Sequence, residues 1–136
     1  MKKYKLSKTA KLYHISINKQ DNKIFVPRVP SNRMHLENDT IPRVCVSTSI
    51  RGCIKSIGLD CTHCKVFIYT PVSCNGKNIS DYIYKPTIKE VGDVIGTREK
   101  WITCPVRMKC IGYAIVKTYT NLCGFIDFKV ITHWYK

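Results

Sequence analysis

Residues 43–58 constrain the fold more than any other stretch of this chain. The stretch opens with a short β-branched run, which predicts a strand, and the run stops at three hydroxyl residues, Ser47, Thr48 and Ser49. Apolar residues then recur at helical spacing up to Gly58, which stands where a helix C-cap is expected. The stretch therefore predicts a strand, a hydroxyl-rich turn and a helix, in that order.

Hydroxyl side chains at a junction between a strand and a helix have two interpretations. Ser and Thr are preferred helix N-caps, because their oxygen accepts a hydrogen bond from an unpaired backbone N–H of the first turn. The same oxygens also suit the binding of a polar ligand. The local pattern of Ser47, Thr48 and Ser49 leaves both interpretations open.

The rest of the chain reads mostly as strands. Residues 11–17 and 65–70 carry strand patterns, and further strands are predicted over 100–104, 109–120 and 125–134. Because one helix comes early and a second short one is the most that the pattern allows, the fold class is α+β rather than alternating strand and helix. We expect a single domain over 1–136, with residues 1–10 as a basic lead-in.

The charge balance points to an anionic partner. The formal net charge is +14, and the chain has only nine acidic residues. Because the lysines are scattered along the chain, a solubility role for them is the alternative. The sequence has no run of 18 apolar residues and no apolar segment after its basic start, so we expect a cytoplasmic protein that spans no membrane.

Eight cysteines are many for a chain of 136 residues. In a cytoplasmic protein they are expected to be reduced thiols rather than disulfides, and Cys104 lies in an apolar strand context where a thiol packs as a small hydrophobe. Cys61 and Cys64 have the two-residue gap of a zinc knuckle, but no second pair of ligands follows at similar spacing. We therefore predict no metal site, with a zinc-stabilised module as an alternative.

Common phosphate-binding and hydrolase motifs are missing from the sequence. It has no Gly-x-Gly-x-x-Gly pattern after a strand, no Gly-Lys-Ser/Thr loop and no Gly-x-Ser-x-Gly turn. Among the acidic residues Glu99 stands apart, because it follows a glycine turn and opens a predicted strand beside Trp101. The alternative for Glu99 is an exposed charge at a strand start.

Several segments, in order, resemble the ADP-ribosyltransferase superfamily, and the small bacterial rifamycin-modifying enzymes above all. The sequence Tyr-His-Ile-Ser at Tyr13 and His14 is similar to a Tyr-His-Gly-Thr strand of that family. Val-Cys-Val-Ser-Thr-Ser from position 44 is similar to its Val-Tyr-Phe-Thr-Ala-Thr strand. A strand that ends in Pro, Val-Phe-Ile-Tyr-Thr-Pro, follows, and an Arg-Glu turn into a strand comes at Glu99. The resemblance covers residues 11–117.

This resemblance implies two small, mostly antiparallel sheets with an NAD-binding cleft between them. His14, beside Tyr13, would hydrogen-bond the adenosine-side ribose of NAD. Ser47, Thr48 and Ser49 would shape the nicotinamide pocket. Glu99 would orient the nicotinamide ribose and stabilise the oxocarbenium-like transition state. The implied activity is NAD-dependent transfer of ADP-ribose to an unidentified acceptor, a macromolecule or a small molecule.

The chain departs from the family pattern at two positions. Cys45 stands where the family has an aromatic residue that stacks on nicotinamide, and Thr97 stands where a second acid is expected. The competing hypothesis is a non-catalytic basic protein that binds nucleic acid or inhibits another protein, for example a viral one. It would use aromatic residues that lie among lysines and are expected to be exposed, such as Trp101, Tyr113, Tyr119 and Trp134.

Overall fold

The computed structural model describes residues 2–6, 11–20, 23–30, 38–57, 63–92 and 94–136. The strands within these ranges are β1 Lys2–Lys3, β2 His14–Ser16, β3 Ile24–Phe25, β4 Val44–Ser47, β5 His63–Ser73, β6 Ile83–Lys85, β7 Glu99–Ile102, β8 Val106–Thr120 and β9 Ile126–Trp134. The helices are α1 Ile50–Ile57 and α2 Val94–Thr97, and a 3-10 turn spans Ile79–Tyr82.

The strands form two sheets, and within each sheet all neighbouring strands are antiparallel. The first sheet has the order β1-β6-β7-β4. The second has the order β2-β5-β8-β3, and β9 pairs with the distal half of the long strand β8. The prediction of an α+β fold with two antiparallel sheets and two short helices is confirmed at this level of detail.

The predicted helix is confirmed over Ile50–Ile57, whereas its predicted cap Gly58 lies outside the described residues. Most predicted strands are found, with shifted ends. β8 begins at Val106 rather than 109, because it pairs with β5 across two register shifts. Lys2–Lys3, predicted to be part of a lead-in, forms an edge strand against β6.

Three apolar clusters are found among the described residues, and two of them join the sheets to each other and to α1. One lies between the sheets, where Val44, Val46 and Ile102 pack with residues of β5 and β8. In the other, Cys53 and Ile54 of α1 pack against the second sheet. The helical spacing of apolar residues in α1 thus predicts its buried face correctly, because residues three and four apart share one side of a helix.

The opposite face of the pair β4 and β7 carries polar and aromatic residues. Because directly opposite residues of an antiparallel pair share a face, Cys45 and Trp101 lie on the same side as Ser47 and Glu99. Trp101 is fully buried there, and the Arg43 guanidinium lies 4.1 Å from its ring centroid. The expectation that Trp101 is exposed was wrong, since Arg43 and the α2 region cover its ring.

Two cysteines from distant parts of the chain meet. Cys74 and Cys104 form a disulfide with a Cα–Cα distance of 6.4 Å. The prediction of reduced thiols was wrong for this pair, and Cys104 follows β7 instead of lying within a strand. Sequence spacing alone does not reveal the contact, because folding brings together residues 30 positions apart.

Candidate functional site

A cleft opens where the edges of the two sheets meet. Tyr13 and Ser47 exchange backbone hydrogen bonds of 2.8 and 2.9 Å, which join the start of β2 to the end of β4. Arg28 and Arg43 exchange a second pair, of 3.1 and 3.0 Å, at the other end of β4. The cleft has a volume of about 720 Å³. Its lining comes from β2 and β3 with the segments that follow them, from β4, and from the end of α1, and it includes Glu99.

His14 is held in this cleft by its neighbours on both sheets. Its Nδ1 lies 2.8 Å from the Cys45 carbonyl oxygen, and its ring makes edge contacts with Phe25 at 5.0 Å and Tyr69 at 6.3 Å. Because a carbonyl oxygen only accepts hydrogen bonds, Nδ1 carries the proton, and Nε2 of the neutral ring is an acceptor. Burial lowers the pKa of His14, the bond to Cys45 raises it, and the charge of Arg28 lowers it. His14 is therefore neutral at pH 7.

Glu99 lines the same cleft and is only 4% exposed. One carboxylate oxygen accepts a 2.9 Å hydrogen bond from Trp101 Nε1. This bond fixes the Glu99 side chain on the face of the first sheet where Cys45 of β4 also lies. The alternative that Glu99 is an exposed strand-start charge was wrong. A buried carboxylate interacts strongly with any positive charge that approaches it, because the surroundings screen it less than water does.

Cys45 lies between the charged groups of this face. Burial raises the pKa of the Cys45 thiol well above its usual range, and the Glu99 carboxylate raises it further, while the Arg43 guanidinium opposes the shift. The thiol is therefore protonated at pH 7 and is a poor nucleophile. Arg43 itself is 1% exposed, and its Nη1 donates to the carbonyl oxygens of Asn38 and Ile41 at 2.9 and 3.0 Å.

The side chain of Ser47 is engaged in structural contacts. The buried Ser47 hydroxyl donates to the Thr97 carbonyl oxygen at 2.6 Å and accepts from Ser49 N at 3.1 Å. Ser49 Oγ in turn accepts from Gly52 N at 3.2 Å, which is helix capping. The capping interpretation is thus confirmed for Ser49, whereas Ser47 holds the turn before the helix and the end of α2. Thr48 is half-buried on the same turn.

The predicted site residues separate into two groups. His14 and Glu99 both line the cleft. Tyr13 and Ser47 form its end wall through their backbones, and the Tyr13 ring instead lies 6.4 Å from the Trp134 ring. The lining residues of the cleft include neither Tyr13 nor the three hydroxyl residues of the turn.

Sequence reasoning missed most of the lining residues, among them Phe25, Arg28 and Arg43. Phe25 adds a phenyl ring to the lining, and the two arginines supply its positive charge. A usable pattern did exist for Arg28, because it lies between Pro27 and Pro30 in an extended segment, where a charged side chain is held by a stiff backbone. Nothing local marks Arg43, whose position depends on pairing with a distant segment.

A metal site was expected to be absent, with a zinc module around Cys61 and Cys64 as an alternative. Cys61 lies outside the described residues. Within the parts of the chain that the structure describes, no three His, Cys, Asp or Glu side chains are grouped to hold a metal ion.

Two further findings bear on the class of protein. In the described ranges, none of the helices has the length and apolar character needed to cross a membrane. No protein-family model, no curated protein and no solved structure matches the chain.

Proposed function

We propose that this chain is an NAD-dependent ADP-ribosyltransferase that binds NAD in the cleft between its two sheets. Glu99 is its catalytic carboxylate, and His14 is a ribose-binding side chain. The observation that supports this most strongly is that His14 and Glu99, from opposite parts of the chain, line one cavity. An ADP-ribosyltransferase-like fold, with its substrate between two small antiparallel sheets, belongs to the same proposal.

The size and charge of the cleft suit a dinucleotide. A cavity of about 720 Å³ falls in the range of small-molecule sites. Arg28 is exposed and lines it, so its guanidinium is available to the pyrophosphate. The buried Arg43 adds a second positive charge to the wall without leaving its contact with Trp101.

His14 is suited to a sugar hydroxyl. Its Nδ1–H is used by the Cys45 carbonyl, so the neutral ring offers Nε2 as an acceptor for a ribose O–H. The lowered pKa of His14 keeps that acceptor free of a proton at neutral pH. Phe25 and Tyr69 hold the ring by edge contacts, which reduces the conformational entropy lost on binding.

Glu99 supplies the negative charge that the reaction requires. In ADP-ribosyl transfer the bond between ribose C1′ and the nicotinamide nitrogen breaks. Nicotinamide leaves with the electron pair, and an acceptor nucleophile forms the new bond and loses a proton. Positive charge develops on the ribose, and a fixed carboxylate in a poorly screened cleft stabilises it. The Trp101 N–H orients Glu99, so little reorganisation is needed.

The nicotinamide end of the cleft has its own candidate residue. Cys45 cannot stack on a ring, but Phe25 lines the cleft and can offer an aromatic edge or face. The protonated Cys45 thiol does not compete as a nucleophile, because its pKa is raised. We therefore assign Phe25 to contact with the nicotinamide ring.

The test is the release of nicotinamide from NAD labelled in that ring, with and without a cell lysate as the source of acceptors. The wild-type chain is expected to release nicotinamide, and Glu99→Gln to release it about 100- to 1,000-fold more slowly. Asp81→Asn is the matched control, because Asp81 is an exposed carboxylate on the 3-10 turn outside the cleft lining.

Two results would count against the proposal in different ways. If the wild-type chain with lysate releases nicotinamide no faster than buffer does, the proposed enzymatic activity is wrong. If the wild type and Glu99→Gln release nicotinamide at equal rates, the chain is still an enzyme but Glu99 is not its catalytic residue. Saturation-transfer NMR with NAD should show binding to both proteins and weaker binding to His14→Ala, which separates loss of binding from loss of chemistry.

A further inference from the structure

The second sheet has one face that the helix α1 covers. On its other face the first sheet packs near Tyr69 and Met108, and the part beyond carries exposed side chains. Val66, Ala114 and Val116 point to the buried side, where they pack with α1 residues. Because side chains alternate along a strand, their neighbours point the other way. We call this other side the outer face; it carries Lys65, Phe67, Tyr113, Lys117, Lys129 and His133.

A row of rings crosses the outer face at one level. Phe67, Tyr113 and His133 are direct cross-strand partners on β5, β8 and β9. The Tyr113 and His133 rings stack, with centroids 4.7 Å apart and planes 15° apart. Lys65 Nζ lies 4.3 Å from the Tyr113 ring centroid. The rings are therefore held in place before any ligand arrives.

The stack ends at an open edge. Among the described strands β9 pairs with β8 alone, so the side of the His133 ring that is turned away from Tyr113 lies at the margin of the sheet. His133 is exposed. A planar base can continue the stack on the exposed His133 ring, since each nucleobase offers a flat face to an aromatic ring.

The charge of these strands is strongly positive. β5, β8 and β9 contain five Lys or Arg residues and a single acid, Asp127. Arg51 of α1 binds the Asp127 carboxylate at 3.3 Å, so its charge is compensated. Lys65, Lys117 and Lys129 are all exposed. Positive side chains between ordered rings are the combination that holds a phosphate backbone while its bases stack.

We infer that the outer face is a binding surface for single-stranded nucleic acid, whose bases stack on the row of His133 and Tyr113 and whose phosphates contact the three lysines. This surface lies on the opposite side of the sheet from α1. Its Phe67 end borders the cleft proposed for NAD, because Phe67 pairs with Ser16, which lines the cleft, whereas His133 lies two strands farther along the sheet, on β9. The two proposals stand or fall independently, because binding here needs neither NAD nor Glu99.

Fluorescence anisotropy with labelled single strands of about 12 nucleotides, DNA and RNA, tests the inference without NAD. The wild-type protein should bind single strands more tightly than a duplex of the same length. His133→Ala should weaken binding about tenfold, and His133→Phe should restore it, because a phenyl ring also stacks. Glu99→Gln should bind like the wild type. Failure of His133→Phe to restore binding would overturn the stacking role.

The contribution of charge is tested by two triple variants with equal loss of charge. Lys65, Lys117 and Lys129 are changed to Gln in the first, and the exposed Lys77, Lys85 and Lys89 in the second. The first should lower the slope of log K against log salt by about 2, and the second should leave it unchanged. The inference would be overturned if both variants weakened binding equally or if the protein preferred the duplex. It would also be overturned if polyglutamate displaced the strand as effectively as nucleic acid does, or if no binding occurred at low salt.

Discussion

The Ser47 hydroxyl donates a 2.6 Å hydrogen bond to the carbonyl oxygen of Thr97, and this bond ties the end of β4 to the end of α2. Ser47 is also the cross-strand partner of Glu99, which follows two residues after Thr97. The local pattern makes this hydroxyl a candidate helix cap, but in the structure it fixes the chain just before the proposed catalytic carboxylate, and Ser49 is the cap.

Ser47→Ala should destabilise the protein by about 1–3 kcal/mol, because it removes a buried hydrogen bond and the acceptor for Ser49 N. Urea unfolding followed by circular dichroism measures the change. Ser56→Ala is the control, since Ser56 is exposed and its hydroxyl donates to the nearby Cys53 carbonyl. Equal free energies of unfolding for the two variants would contradict the role assigned to Ser47.

Gly52→Ala should destabilise the protein by about 1–3 kcal/mol although Ala is the better helix former. A Cβ at position 52 would lie 2.0 Å from the Thr97 carbonyl oxygen and 2.6 Å from Ser47 Oγ, so α1 and α2 must separate to admit it. Gly96→Ala in α2 is the matched control, because nothing lies within 4 Å of a Cβ there. Thermal unfolding should show a lower Tm for Gly52→Ala only. A raised Tm for Gly52→Ala would mean that the helices are not in close contact.

Arg98→Gly should stabilise the protein by about 1 kcal/mol. Arg98 has a left-handed backbone with φ of 55°, and this conformation is unfavourable for any residue that has a Cβ atom. Its N–H donates to the Val94 carbonyl oxygen at 2.9 Å and ends α2, and Gly keeps that bond. Arg98→Ala removes the same charge but keeps the strain. Denaturant midpoints should therefore rise for Gly and not for Ala; a rise in both would assign the effect to charge.

His14 should titrate below 6.5 in the folded protein, because burial and the charge of Arg28 disfavour its protonated form. A lowered pKa means that the unfolded chain binds more protons in this range. The stability due to neutral His14 is therefore complete above about pH 6.5 and is lost as pH falls through the folded pKa. Proton NMR of the imidazole measures the titration, and the dependence of Tm on pH between 7.5 and 5.5 should be flatter for His14→Gln. A pKa above 6.5 would contradict this environment.

The sequence predicted the elements that are specified by residues close together in the chain. The hydroxyl turn and the apolar spacing of α1 are read within a dozen residues, and the structure has both. Of the predicted site residues, His14 and Glu99 line one cleft, while the Ser49 hydroxyl caps α1 and the Ser47 hydroxyl binds the Thr97 carbonyl. Trp101 was misjudged because its burial depends on residues distant in sequence, among them Arg43, which lies just before β4.

By itself, the sequence determined the fold class, the position of α1 and the excess of positive charge, because propensity, periodicity and composition are properties of neighbouring residues or of totals. Only the tertiary structure decided that His14 hydrogen-bonds the Cys45 carbonyl, that Arg43 lies over Trp101, and that Tyr113 stacks on His133. These contacts depend on strand register and on how the two sheets meet. Both are set by the packing of the whole core, which no local pattern contains.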